Sequence, residues 1–286
     1  MTSSDMGAER NPSSRAGHLS TRLVVQMRAI AAGLSDVGRA RLHNEDRFLL
    51  LPEFNVFLVA DGMGGHRSGE VASRMATSVI ARYFRDGSEA RRGTVGERLR
   101  AAVADANATI FARSGDSRAH RGMGTTVVAG AFAPTEATFY VAHAGDSRCY
   151  LVREGEIRQL TRDHSLLEDA LRERPDLTPR DLAYLPRNVI TRALGISANL
   201  DVETRAERAL PGDVFVLCSD GLHGLVNDDD IARLVGEQPV LTEACAALVA
   251  LANERGGRDN ITVVLVRIED APRPWKRDGE ASDGGA

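Results

Sequence analysis

The sequence almost lacks lysine. Of its 36 basic residues all but one are arginine, and the single lysine, Lys276, stands in a polar C-terminal stretch. That absence excludes whole enzyme classes: a P-loop ATPase needs a GK[ST] lysine, a protein kinase a strand lysine against nucleotide phosphates, and a Schiff-base enzyme a buried amine. Cysteine is equally scarce. Cys149, Cys218 and Cys245 are odd in number, widely spaced and set in apolar runs, the pattern of buried thiols in a reducing compartment and not of a disulfide framework. Thiolate-dependent phosphatase chemistry needs an arginine a short loop beyond the cysteine, but Gly155, Gly224 and Leu251 stand six residues on. Long hydrophobic runs are missing too. The longest small-apolar stretch, 244–252, is far below the roughly 20 residues of a membrane helix, and the N-terminal MTSSDMGAER lacks an apolar export core. A cytoplasmic protein without membrane attachment is expected. A net charge of −4 gives no bulk drive toward nucleic acid either.

What is present is an ordinary globular composition, 43% hydrophobic and 27% charged, in 286 residues. Residues 1–22 and 270–286 are polar and aperiodic and read as disordered tails around one continuous domain, 23–269. Short β-branched and aromatic runs at 55–60, 125–132, 137–143, 213–218 and 261–268 predict strands. Apolar residues at helical spacing predict helices over 69–85, 95–113 and 241–255. Only Pro134-Thr135-Glu136 separates two of the strands, and Arg153-Glu154-Gly155-Glu156 resembles another tight turn. Parallel pairing needs a dozen or more connecting residues, so these strands form an antiparallel meander in an α+β protein. Segment 164–195, with three prolines and weak helical patterning, interrupts the meander as a candidate surface flap.

The informative feature is where the acidic residues fall. Glu45 and Asp46 precede FLLLP, Asp61 ends NVFLVA, Asp146 lies between two strands, Asp220 follows DVFVLC and Asp259 opens ITVVLV. Carboxylates at strand ends converge only if something offsets their repulsion, and hard divalent cations do that with oxygen ligands and few protein histidines or cysteines. Gly62 after Asp61 lets a backbone carbonyl approach such an ion. Taken singly, each Asp-Gly pair is also an ordinary turn. The string GDSR occurs twice, at 115–118 and 145–148; the first follows a helix in polar surroundings and reads as a solvated loop. Ser147 lacks the G-x-S-x-G context of a hydrolase nucleophile. His43, His143, His164 and His223 read as satisfied surface or turn histidines.

From Ser35 to Ile268 the motifs resemble the metal-dependent protein phosphatases of the 2C type, especially compact bacterial members. The resemblance rests on Ser35-Asp36-Val37-Gly38 with Arg41 and Asn44-Glu45-Asp46, then Asp61-Gly62-Met63-Gly64-Gly65-His66 and Gly122-Met123-Gly124-Thr125-Thr126. It continues through Gly145-Asp146-Ser147-Arg148, Cys218-Ser219-Asp220-Gly221-Leu222 and Asp259-Asn260-Ile261-Thr262, in family order. It implies a four-layer α-β-β-α sandwich of two antiparallel sheets flanked by helix pairs. It also implies two core Mn²⁺ or Mg²⁺ ions and a third, weaker one. Asp61 would bridge the core pair, with Glu45 and the Gly62 carbonyl on one ion and Asp220 and Asp259 on the other. Asp46 would orient bound water, and Asp146 with Asp220 would hold the third ion. Arg41 matches the phosphate-binding arginine.

One departure stands out. Some members carry a histidine directly after Asp-Gly as general acid, whereas here that position is Met63 and His66 follows three residues later. A general-acid role for His66, a structural one, and protonation by metal-bound water all stay open. The implied activity is hydrolysis of phosphoserine and phosphothreonine in proteins without a phosphoenzyme, in a monomer whose partners are Ser/Thr kinases or their targets. The alternatives are a phosphohydrolase for small esters, an enzyme dedicated to one phosphorylated regulator of a partner-switching cascade, and a non-catalytic module on the same scaffold.

Overall fold

The computed structural model describes residues 27–64, 68–86, 93–115, 120, 122–182, 184–186 and 189–271. The expected tails, 1–22 and 270–286, lie outside these residues apart from Asp270 and Ala271. One sheet has the order β1 (Met27–Asp36), β12 (Ile261–Asp270), β11 (Val214–Cys218), β8 (Arg148–Arg153) and β9 (Glu156–Gln159). The other runs β10 (Glu203–Arg208), β7 (Thr138–Ala144), β6 (Val127–Ala133), β3 (Val56–Ala60) and β2 (Arg47–Leu51). All their pairings are antiparallel.

Each central strand buries both faces, which is why these segments read as continuous apolar runs. In β11, Val214, Val216 and Cys218 face helices α5 (Asp220–His223), α6 (Asp228–Glu237) and α7 (Leu241–Glu254), while Phe215 and Leu217 face the opposite sheet. In β3, Val56, Leu58 and Ala60 pack with α1 (Ser68–Arg85) and α2 (Val95–Gly115), and Phe57 and Val59 point between the sheets. Three apolar layers therefore alternate with four layers of backbone, the expected α-β-β-α sandwich. At its centre Phe139 stacks on Phe215 with ring centroids 3.9 Å apart and planes 9° from parallel. Gly130 makes room, since a Cβ there would lie 2.3 Å from Phe139 Cζ.

The connections follow the expected chemistry. Pro134–Glu136 forms a 3₁₀ turn between β6 and β7, and Glu154 (φ 53°) with Gly155 (φ 85°) closes the β8–β9 hairpin. The strand expected from residue 125 begins at Val127 instead. Thr125 belongs to the short β5 (Gly124–Thr125), which pairs with β4 (Gly62–Met63), and the Thr126 amide is taken by the Asp61 carbonyl. Between β9 and β10, the segment 164–195 holds α3 (Leu166–Glu173) and the one-turn α4 (Pro179–Leu182). Its end is tied down where Thr125 and Leu194 exchange backbone hydrogen bonds of 3.1 and 2.9 Å. Among the described residues, no helix is long and apolar enough to cross a membrane.

Register brings the acidic positions to one end. Arg47 at the start of β2 pairs with Ala60 at the end of β3, and Val127 at the start of β6 with Ala144 at the end of β7. In the facing sheet Cys218, the end of β11, pairs with both Arg148 and Val263. The residues just outside these ends are Asp46, Asp61, Asp146, Asp220 and Asp259.

Candidate active site

Asp61 is anchored through its backbone, and its side chain hydrogen-bonds that of Asp220. Its carbonyl accepts from the Thr126 amide and the Thr125 hydroxyl, both at 2.8 Å, and its amide donates to Thr126 Oγ1 at 3.2 Å. Gly62 then packs backbone against backbone on the first turn of α1. A Cβ on Gly62 would sit 2.2 Å from the Gly69 carbonyl oxygen and 2.6 Å from that of Glu45, so no other residue fits.

Asn260 fixes the opposite wall. Its Oδ1 accepts from the Glu45 amide at 2.8 Å, and its Nδ2 donates to the carbonyls of Val37 and His43 at 2.9 and 3.0 Å. Ser73 of α1 donates to the Glu45 carbonyl at 2.5 Å, so Glu45 is gripped from both sides. The Asn44 Oδ1 receives the Asp46 amide at 3.0 Å. Asp46, 1% exposed, takes the Ser219 hydroxyl on Oδ2 at 2.7 Å.

The structure brings Glu45, Asp46, Asp61, Asp146, Asp220, Asp259 and Arg41 into one electrostatic cluster. Burial raises Asp61 well above the usual carboxylate range, and the charges of Asp46, Asp220, Asp146 and Asp259 add to it. Burial pushes Asp46 up to about 7 although the hydroxyls of Thr262 and Ser219 oppose the shift. Asp146 also rises to about 7, by burial first and the charge of Asp220 second. Asp220 is raised by burial and by Asp259, and Glu45 by burial against the pull of Arg41. Arg41 gives a 2.7 Å ion pair to Asp259.

Three carboxylate oxygens of this cluster, Asp46 Oδ1, Asp146 Oδ1 and Asp220 Oδ1, are buried without a protein hydrogen-bond partner. Buried anionic oxygens without partners cost several kcal/mol unless a cation meets them. All of the cluster's donors are hard oxygens, with no cysteine or histidine among the candidates, and the approach at Gly62 leaves its carbonyl beside Glu45. The residues present therefore fit small divalent cations of the magnesium or manganese kind. Beside the cluster opens a groove of about 620 Å³ lined by Arg41, Leu42, His43, Glu45 and Gly64.

Other sequence expectations resolve differently. His66 lies outside the described residues, as does most of the first GDSR copy. Ser147 is buried with its hydroxyl 2.7 Å from Thr126 Oγ1, a structural link between the Asp61 and Asp146 turns. Arg148 is spent on a bidentate pair with Asp163, both bonds 2.8 Å, and on the Tyr150 hydroxyl. All three cysteines are free and buried, and burial holds Cys218 and Cys245 up at about 12. His43 is exposed, but His143 and His164 are not surface residues: they are 3% and 1% exposed, and each ring nitrogen that is bonded meets a backbone or carboxylate partner. Sequence reasoning passed over the supporting shell. Thr125, Thr126, Ser219, Asn260 and Thr262 stood inside the quoted motifs, whereas Gly69 and Ser73 gave no signal, being helical small residues on an apolar stripe.

Comparison with known proteins supplies the rest. A model of the family "Protein phosphatase 2C" matches residues 38–255. The serine/threonine phosphatase stp of Listeria monocytogenes is 36% identical over 237 residues, covering 81% of this chain and 93% of that protein. The crystal structure of the Mycobacterium tuberculosis serine/threonine phosphatase PstP/Ppp superposes with a TM-score of 0.75 at 35% identity, covering 84% of this chain and 99% of that one. A crystal structure of the catalytic domain of PstP in complex with two manganese ions gives a TM-score of 0.75 at 34% identity, covering 85% of this chain and 100% of that one.

Proposed function

This chain belongs to the protein phosphatase 2C family, and on that premise we propose that its carboxylate cluster is the catalytic centre of a metal-dependent phosphoserine/phosphothreonine protein phosphatase. The observation that carries the reading is the set of orphaned buried oxygens on Asp46, Asp146 and Asp220 around Asp61, beside a groove that presents Arg41. Asp61 would bridge two ions, Glu45 and the Gly62 carbonyl would complete one, and Asp220 and Asp259 the other. Asp146 would serve a third, weaker ion. When bound, divalent cations would supply Lewis-acid charge that lets water lose a proton near neutral pH and that neutralises the phosphoryl oxygens.

The chain's own residues do the rest. Arg41, about half exposed, can leave Asp259 once a cation takes that carboxylate, and its planar fork can grip two phosphoryl oxygens. Metal loading and phosphate binding are thereby coupled, since both compete for one salt bridge. Asp46, held through Oδ2 by Ser219, keeps Oδ1 available to accept a proton-side hydrogen bond from the attacking water and so orients it. The water gives up a proton to solvent, its oxygen forms the bond to phosphorus as the bond to the serine or threonine oxygen breaks, and the leaving oxygen takes a proton. His66 is a candidate donor of that proton.

The substrates are phosphorylated proteins, with Ser/Thr kinases or their targets as partners, in the cytoplasm, where three unpaired buried thiols are at home. Manganese is the preferred probe because a PstP relative binds two such ions. Hydrolysis of a phosphothreonine peptide, followed by phosphate release with and without manganese, tests the proposal. Release that requires the metal supports it; equal rates with metal and with excess chelator sink it.

A further inference from the structure

His143, His164 and Glu203 offer nitrogen and carboxylate oxygen atoms within 4.8 Å of one another, a grouping that resembles a metal site. Its geometry is wrong for one. The two imidazoles stack, with centroids 4.6 Å apart and planes 13° from parallel, so their in-plane lone pairs run side by side and do not converge. Hydrogen bonds also fix the tautomer. The Gly145 amide donates to His164 Nδ1 at 3.2 Å, so Nδ1 is the acceptor and the proton sits on Nε2, 3.1 Å from Glu203 Oε2. Burial favours that neutral ring.

What the ring does hold is the turn before Asp146. The His164 amide donates to the Gly145 carbonyl at 2.9 Å, so His164 engages both polar groups of the Gly145 backbone. Gly145 itself has φ +114°, and a Cβ there would lie 2.6 Å from Thr126. His223 donates to the Asp146 carbonyl at 3.0 Å from the far side. Through its own carbonyl, His164 receives the Thr191 amide at 2.8 Å, which ties the segment 164–195 to the same point.

We propose that His164 is a positioning residue that sets the Asp146 carboxylate through Gly145, with Glu203 on β10 orienting the ring from behind. The manganese half of the proposal rests on reading Asp146 as an ion ligand; the positioning half does not. The test is amide exchange at Gly145, followed by NMR in the full-length protein without metal, paired with manganese titration by calorimetry. Asparagine places an oxygen near the position of Nδ1, whereas glutamine reaches only the Nε2 position. His164→Gln should therefore speed Gly145 exchange about tenfold while His164→Asn stays within about twofold of the parent. The manganese event that Asp146→Asn removes should weaken about tenfold in His164→Gln and hold in His164→Asn.

Equal exchange in all three proteins, or equal acceleration in both variants, overturns the positioning role. If Asp146→Asn removes no manganese event, the ligand reading of Asp146 fails, and the exchange result still decides the role of His164. Glu203→Ala guards against misfolding, because that side chain is 46% exposed. It should speed Gly145 exchange about threefold, and no change there overturns the orienting role of Glu203.

Discussion

Strand β11 is flanked by two aspartates that the protein treats in opposite ways. Before it, Asp213 is 1% exposed and fully partnered: Arg153 donates to its Oδ1 and Oδ2 at 2.7 Å each, and the Leu210 amide to Oδ2 at 2.7 Å. After it, Asp220 has a buried Oδ1 with no partner, and its charged surroundings are led by Asp259. One carboxylate is finished by the protein; the other keeps a buried oxygen that no protein group meets. Arg153 makes the difference, because it ends β8 beside the start of β11, whereas the opposite end of that strand pair opens on Asp146. A buried acid completed by arginine is architecture, and a group of them left open is chemistry.

The contrast breaks most sharply at Asp61. Asp61→Asn should cut manganese-dependent turnover of a phosphothreonine peptide at least about a thousandfold, and unchanged kcat would remove the bridging role. Arg41→Ala should lower kcat/KM by roughly a hundredfold, while Arg41→Lys recovers little because an ammonium cannot form the bidentate fork. If lysine restores most activity, the fork argument is wrong.

A third test compares the two ends by pH. Asp46 and Asp146 sit at about 7 in the folded, metal-free protein, above the roughly 4 of an unfolded carboxylate. Their contribution to stability is thus complete below about 4 and lost as the pH rises through 7, by an amount on the order of a few kcal/mol. Chelator-treated protein should melt at a lower temperature at pH 8 than at pH 5.5, and manganese should reverse the loss; a flat or rising melting curve refutes the assignment. Asp213→Asn should instead cost about 2 kcal/mol in urea unfolding and leave manganese affinity untouched. The smallest effect concerns two matching turns. Asn55 (φ 52°) and Ala137 (φ 49°) occupy the same left-handed position after Pro-initiated 3₁₀ turns, so Ala137→Asn should stabilise by about 0.5 kcal/mol in the same assay.

Much of this was legible because strand ends and acidic residues coincide in the chain. The five anticipated strands and three anticipated helices all form, and the meander follows from the four residues between β6 and β7. Two edge strands escaped. β10, ETRAER, is polar apart from Ala206, as an exposed edge guarded by charge should be, and β1, MRAIAAGLSD, is too rich in alanine and glycine to signal a strand. Its order comes from ten residue pairs with β12. At the site, chain position exposed the acidic residues but not their state. Asp213 and Asp220 both look like turn aspartates, and only the tertiary placement of Arg153 tells them apart. His164 was hidden for a related reason: its partners, Gly145 and Glu203, are 19 and 39 residues away.

The three apolar layers carry one further consequence, for how strand alignment is enforced. In most half-exposed sheets a one-residue slip is forbidden by polarity, because it would turn greasy side chains to water. Here both faces of the inner strands are greasy, so polarity forbids little. Bulk does instead: toward α1 and α2 the second sheet sets Ala60, Ala129, Ala131, Ala142 and Ala144 beside the larger Val56, Leu58 and Val127, and toward its partner sheet Phe57, Phe132 and Phe139 beside Val59, Val128 and Val141. A slipped β6 would drive the Phe132 ring into space cut for the methyl groups of Ala131 and Ala133. The carboxylate cluster, which hangs from the ends of those strands, is therefore kept in line by a difference in size that hydropathy does not record.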